Sequence, residues 1–184
     1  ALSEPELDES IRLGVSVVLA VSDAALQQAE TKLRAVDGRF PARLPRHAAF
    51  HTPLLAPVSG LADDLLAAEQ FQSPEVPLID GRGEIWQPGS DPAEIRSYTL
   101  GHQVQQTYDF THAITVGVRE FAPERIIVLG PGPAMGAPVL QTLMALDYQG
   151  LSSRESWQQR QQNDPLVLAM GIDAQRVRVT PADE

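Results

Sequence analysis

The sequence predicts an α/β fold, and three observations carry that prediction. Short β-branched or continuously apolar runs alternate with segments of helical apolar spacing over 184 residues. The composition, 43% hydrophobic and 21% charged, is that of an ordinary globular protein. Ile126-Ile127-Val128-Leu129 is continuously apolar and passes directly into Gly130-Pro131-Gly132-Pro133 and a helix, as a buried parallel strand does. At this length roughly 70% of the unfolded chain's surface can be buried, enough for a real core.

In order, Glu4 to Ile11 reads as a short helix and Val15 to Ala20 as a strand. Ser22 is a good N-cap, after which Leu26, Ala29, Leu33 and Val36 fall at helical spacing until Gly38. Pro41 to Pro45 is extended, because residues before proline are pushed from helical geometry. Pro53 begins a helix whose apolar face runs Leu54, Leu55, Val58, Leu61, Leu65 and Leu66. Val76 to Ile79 is a short strand, ended by Asp80-Gly81. Asp91-Pro92 opens another helix, and Phe110, Ala113, Ile114, Gly117, Val118 and Phe121 mark a further helical face. The helix after Gly132 runs to about Leu146; a polar Gln-rich stretch follows from Ser152 to Asn163, then strands at Leu166 to Met170 and Arg176 to Val179.

Charge and composition remove several function classes. There is no Cys, so disulfides, thiolate catalysis and cysteine zinc sites are excluded. Formal net charge is −10, with fourteen cations, thirteen of them Arg, so no nucleic-acid partner is expected. No apolar run approaches the ~20 residues needed to span a bilayer, and the acidic Ala1-Leu2-Ser3-Glu4 start is unlike a signal peptide. The expectation is a cytoplasmic protein without a membrane partner. One stretch opposes the acidic trend: Lys32, Arg34, Arg39, Arg43 and Arg46 stand against Asp37 alone. This strip either meets a phosphate or an acidic partner or simply solvates a loop.

Histidine is the residue type with most to offer, and there are four: His47, His51, His102 and His112. His47 and His51 stand four apart, but Ala48-Ala49-Phe50 between them supplies no Glu for a zinc-protease helix, and no metal site is expected. His51 lies at an element boundary just before Pro53, where imidazole can reach a cleft and act as a base near neutral pH. Its residue context alone also suits a buried or capping histidine. His102 and His112 read as ordinary surface or partly buried residues. Gly130-Pro131-Gly132 reads either as a tight strand-to-helix turn or as amides presented to an anion.

Ala49-Phe50-His51-Thr52-Pro53-Leu54-Leu55, followed by a helix, resembles the catalytic-histidine segment of malonyl-CoA:acyl carrier protein transacylases and of synthase acyltransferase domains. The likeness continues in order. It takes in Gly14 to Ala20 with the helix from Asp23, Pro74 to Asp80, Gln103-Val104 with Tyr108-Asp109-Phe110-Thr111, and Leu129-Gly130-Pro131-Gly132. It covers about residues 11 to 147.

The resemblance implies the C-terminal part of a hydrolase-like parallel-sheet subdomain plus part of a small ferredoxin-like α+β subdomain. The expected division is 1–46 for the small subdomain, 47–150 for the hydrolase-like part and 151–184 for a tail. It implies a Ser-His pair that takes malonyl from CoA and passes it to acyl carrier protein by ping-pong catalysis, with malonyl-CoA as substrate and no bound cofactor. His51 matches the histidine residue for residue. Ala48 and Phe50 fall where synthase domains line the acyl pocket, and the bulk of Phe50 favours malonyl over a methyl-branched unit. Arg39, Arg43 and Arg46 become candidate contacts for CoA or carrier protein. Family members orient the histidine through a backbone carbonyl, which counting back from Gly130 puts near Glu120 or Phe121.

The chain departs from the family in lacking any Gly-x-Ser-x-Gly. Ser59-Gly60 follows Pro57 within a helix and is no nucleophile elbow. The family's Pro-Gly-Gln-Gly oxyanion segment and malonyl-clamping arginine are also missing. The expectation is therefore an acyltransferase portion, inactive alone, whose partners are carrier protein, a CoA thioester and the N-terminal half of the same acyltransferase. The alternative is a non-catalytic acyltransferase-like module that binds carrier protein or another subunit.

Overall fold

A computed structural model describes residues 7–33, 40–44, 47–130 and 132–180. The chain is mixed α/β with small sheets. It divides into two compact units, one of Ala1–Arg12 and Val17–Tyr108, the other of Leu13–Ser16 and Asp109–Glu184.

The first unit holds a three-stranded sheet ordered β2-β1-β5, with β1 at Asp8–Leu13, β2 at Ser16–Ala20 and β5 at Tyr108–Asp109. The first segment is a strand where a helix was expected. Its glutamates and leucines favour helix locally, but Gly14, at φ 65°, turns the chain so tightly that β2 lies beside β1. Ser10, buried in β1, donates to Phe50 O at 2.7 Å, and Thr107 Oγ1 donates to Glu9 O at 2.6 Å. Helix α1, Asp23–Lys32, follows Ser22 as expected, although the Ser22 side chain makes no capping bond, and it ends at the extended Leu33, ahead of the expected Gly38, which lies outside the described residues.

A 3₁₀ turn at Pro53–Leu55 leads into α2, Ala56–Leu65. Its apolar face is largely uncovered: Val58, Leu61 and Leu65 are 50%, 61% and 78% exposed. Helical periodicity identifies an apolar stripe but not what lies against it. Strand β3, Leu78–Ile79, pairs antiparallel with β4, Ile85–Trp86, a strand the sequence reading missed. The connecting turn is built around Asp80. Asp80 Oδ1 accepts from the backbone N of Arg82 (2.8 Å) and Glu84 (3.2 Å). Its Oδ2 accepts from Arg82 Nη2 (2.7 Å), Arg82 Nε (3.0 Å) and Trp86 Nε1 (3.2 Å). Asp91 caps α3, Pro92–Ser97, by accepting from Ala93 N at 2.8 Å. The chain continues through a π-helical turn, Tyr98–His102, into the short α4, Gln103–Gln105.

In the second unit, α5 (Phe110–Phe121) is capped by Asp109, which accepts from His112 N at 2.7 Å. Strand β6, Ile126–Val128, pairs parallel with β7, Val167–Ala169, as the apolar run predicted, but the run is not buried throughout: Ile127 and Leu129 are exposed. Helix α6 spans Gly136–Ala145. The Gln-rich stretch is a helix, α7 at Arg154–Asn163, started by a reciprocal pair of bonds between Ser153 and Ser156. The strand expected at Arg176 to Val179 is instead the end of α8, Asp173–Arg176, and a following turn in which Thr180 N reaches Arg176 O. Val118, Val128, Val139, Leu143, Leu151, Leu166, Val167 and Ala169 form one core, so residues beyond 150 share it with those before. The backbone N of Gly14 and Val15 bond Thr111 Oγ1 (2.8 Å) and Gln141 Oε1 (3.1 Å). Among the described residues, no helix is long and apolar enough to cross a membrane.

Two substitutions test this account by urea unfolding. Leu143 has no exposed surface, so Leu143→Ala should cost about 2–5 kcal/mol through lost burial and a residual cavity. Asp80→Ala should cost about 1–3 kcal/mol, because it strips partners from the indole and two backbone N–H groups at once. A loss below half a kcal/mol at Asp80 would mean water replaces the carboxylate freely.

Candidate functional site

The segment before Pro53 is a tight, heavily bonded turn. Phe50 N donates to Ala48 O (2.8 Å), Thr52 Oγ1 donates to Ala49 O (2.8 Å), and Phe50 O is the acceptor for Ser10. Thr52 is only 1% exposed. These bonds hold His51 at φ 59°, in the left-handed region that non-glycine residues seldom occupy. Such conformations persist only where the surroundings over-determine them, and they concentrate at functional positions.

The imidazole is fixed from two sides. His51 Nδ1 lies 2.5 Å from the backbone O of Gln103, and the ring of Tyr108 packs at a tilt, 5.3 Å between centroids. A carbonyl oxygen can only accept, so Nδ1 carries the proton. In the neutral ring this leaves Nε2 as the acceptor nitrogen, the tautomer a general base requires. The reason this carbonyl is available is local. Gln103 stands in the last turn of the helical segment ending at Gln105, where carbonyls have no intrahelical donor. The imidazole N–H supplies one, and the negative end of the helix favours a donor there.

The orienting carbonyl is thus that of Gln103, not one near Glu120 or Phe121, which close α5. That position lies at the near end of α5, whereas Gln103 lies beyond the whole of that helix. Ala48 and Phe50 are both exposed, and Phe50 packs edge-on against His47, centroids 6.1 Å apart. Arg43 is exposed; Arg39 and Arg46 lie outside the described residues. Ser59 is buried inside α2, where it donates to Leu100 O (2.5 Å) and accepts from Gln105 Nε2 (2.8 Å). Gly130 has φ 115°, and α6 starts only at Gly136, so that glycine serves the turn after the strand. Among the described residues, no group of three or more His, Asp or Glu side chains is placed to hold a metal ion.

Sequence reasoning missed a second polar assembly in the same unit. An open cleft of about 1060 Å³ is lined by Arg82, Glu84, Trp86, Tyr98, His102 and Gln105, among others, but not by His51. The Tyr98 ring stacks on His102 with centroids 5.6 Å apart, and the Arg82 guanidinium lies over the Tyr98 ring, 4.4 Å from its centroid. Tyr98 OH accepts from Gly81 N at 2.9 Å. Burial, reinforced by the Asp80 charge, pushes the Tyr98 phenol up to about 12. Burial likewise raises Tyr108, with Asp80 adding to it. The Asp80 hydrogen bond raises Arg82.

No family model, no curated protein and no solved structure matches this chain.

The raised phenol gives a pH prediction with a definite sign. Between about pH 10 and 12 the folded state keeps the Tyr98 proton while the unfolded state loses it, so stability falls as pH rises through that window. Phenolate absorbance should show one tyrosine ionising near pH 12, and Tyr98→Phe should remove it and flatten the fall in melting temperature. Complete ionisation of all three tyrosines near pH 10 with the fold intact would contradict this environment.

Proposed function

We propose that the chain is the histidine-bearing portion of an acyl carrier protein S-malonyltransferase-like acyltransferase. In this reading the first unit includes ferredoxin-like material, and the parallel strands of the second belong to a hydrolase-like sheet. The observation that supports it is the His51–Gln103 bond, which in the neutral imidazole makes Nε2 the acceptor nitrogen. An orienting backbone carbonyl is what the resemblance implies for a catalytic histidine. The serine is supplied by a segment bearing Gly-His-Ser-x-Gly that this sequence does not contain.

The chemistry follows from the tautomer. The serine oxygen attacks the malonyl thioester carbonyl while its proton passes to His51 Nε2. The imidazolium, held by Nδ1–H at Gln103 O, gives that proton to the departing CoA sulfur. The carrier-protein thiol then enters by the same route, losing its proton to Nε2, and takes the acyl group as the serine regains its proton. Phe50 narrows the space beside the α-carbon and favours malonyl. Arg43, with Arg39 and Arg46 of the same basic strip, meets CoA phosphates or the acidic carrier protein.

The test is malonyl transfer from malonyl-CoA to carrier protein by the serine-containing enzyme. His51→Ala should lower turnover ~10²–10⁴-fold, about 3–5 kcal/mol of barrier, without unfolding the protein. Gln103→Ala should retain most activity, because the bond uses the main chain. Normal turnover in His51→Ala would end the proposal. Separately, Arg43→Glu should raise KM for CoA or carrier protein more at low salt than at high salt, and a KM unchanged at low ionic strength would remove the docking role.

A further inference from the structure

Gly81 is buried, and the ring of Tyr108 lies directly against it. A β-carbon on Gly81 would stand 2.5 Å from Cδ2 of that ring, 2.8 Å from Cε2 and 2.8 Å from Cγ. Non-bonded carbons rest ~3.5–4.0 Å apart, so the two cannot coexist unless something moves. Cγ is where the ring is attached, so spinning the ring about its own axis gives no relief; the whole side chain must swing. Gly81 itself is pinned. Its N–H donates to Tyr98 OH at 2.9 Å, and the turn around it is bound to Asp80 through the backbone N of Arg82 and Glu84. Its φ lies outside the left-handed region, so this glycine answers a contact and not a backbone conformation.

The same Tyr108 ring meets His51. The two rings pack at 45° with centroids 5.3 Å apart. An imidazole bound through Nδ1 to Gln103 O can still leave that oxygen by turning about its own side-chain torsions. A ring packed against it closes one of those directions. Tyr108 is placed to do so by its backbone, since it lies in β5, which pairs with β1.

We propose that Tyr108 is a positioning residue for the His51 imidazole and that Gly81 serves it, the missing β-carbon leaving room for the ring that keeps Nδ1 at Gln103 O. A larger residue at position 81 displaces Tyr108 and so loosens His51 without touching it. Neither Gly81 nor Tyr108 meets a reacting atom. The orientation of the imidazole is a property of the first unit, and its use in proton transfer rests on the acyl-transfer reading.

Nitrogen-15 NMR of the imidazole in the 184-residue chain tests this, at a pH where the shifts show the ring neutral. The native chain should show the Nδ1–H tautomer alone, with a nuclear Overhauser contact between the ring protons of His51 and Tyr108. Tyr108→Phe keeps the ring and should keep both signatures. Gly81→Ala and Tyr108→Ala should lose the single-tautomer signature, the Nδ1 and Nε2 shifts moving toward each other. Gly60→Ala, whose added β-carbon meets nothing within 4 Å, should leave it intact. In a Tyr108→Ala background, Gly81→Ala should add nothing, because the ring it displaces is gone. Tyr108→Phe and Tyr108→Ala decide the matter should Gly81→Ala fail to fold. The proposal is overturned by a missing ring contact in the native chain, by an unchanged tautomer in Tyr108→Ala, by its loss in Tyr108→Phe, or by additive effects at 81 and 108. In the serine-containing enzyme, Gly81→Ala should lower kcat by up to about 10²-fold with KM for malonyl-CoA unchanged. If His51→Ala lowers transfer and a folded Gly81→Ala does not, the positioning role is wrong. If His51→Ala transfers normally, the acyl-transfer reading falls, and the tautomer alone decides how the ring is held.

Discussion

The first unit depends on carbonyls that its own helix cannot satisfy. From Pro92 to Gln105 the chain changes from α to π and back, and then stops. Both the wider turn and the helix end leave acceptors for other segments. Leu100 O is taken by the buried Ser59 hydroxyl of α2, and Gln103 O by the His51 imidazole. Gln105 closes the circuit with its side chain on Ser59. A regular α-helix would have kept most of these carbonyls for itself and left Ser59 with an unmet, buried hydroxyl. The irregular turn is therefore what gives a histidine 52 positions away a fixed orientation.

The start of that turn is anchored from a third direction. Tyr98 begins the π-helical turn, and its hydroxyl accepts from Gly81 in the β3–β4 connection. That connection is set by Asp80, whose carboxylate gathers Arg82, Glu84 N and the Trp86 indole. A buried carboxylate is costly unless donors surround it, and here they are supplied within six residues of sequence. Arg82, drawn in by Asp80, in turn covers the Tyr98 ring. The bonds thus run in sequence from Asp80 to Gly81, to Tyr98, through the helical turn to Gln103, and finally to His51.

What the sequence revealed follows from where each signal resides. Asp91, Phe110 to Phe121, Ile126 to Val128 and the helix to Ala145 were readable because caps, periodicity and apolar runs are local. His51 was readable as a candidate because its neighbours form a distinctive run. Gln103 was invisible in its role, because the acceptor is a main-chain oxygen that any residue carries; the nearest clue was its inclusion in the resemblance. Strand β1 was mistaken for helix because pairing with β2 outweighs the local preference of Glu and Leu. Asp80 was read only as a strand terminator, since its partners include backbone N–H groups and an indole that no spacing rule brings together.

The exposed apolar side chains and the contacts around His51 lie on different residues. Along α2, Val58, Leu61 and Leu65 form an exposed apolar stripe, and in the other unit Ile127 and Leu129 are exposed as well. Large uncovered apolar surface generally marks an interaction site. The contacts that fix His51 and its turn do not use these side chains: Gln103 O, Tyr108, Ser10 and Thr52 all belong to the first unit. The left-handed backbone at His51 and its protonated Nδ1 therefore need no partner in place. An imidazole oriented within its own unit carries its ordering cost in the fold and not in a later encounter.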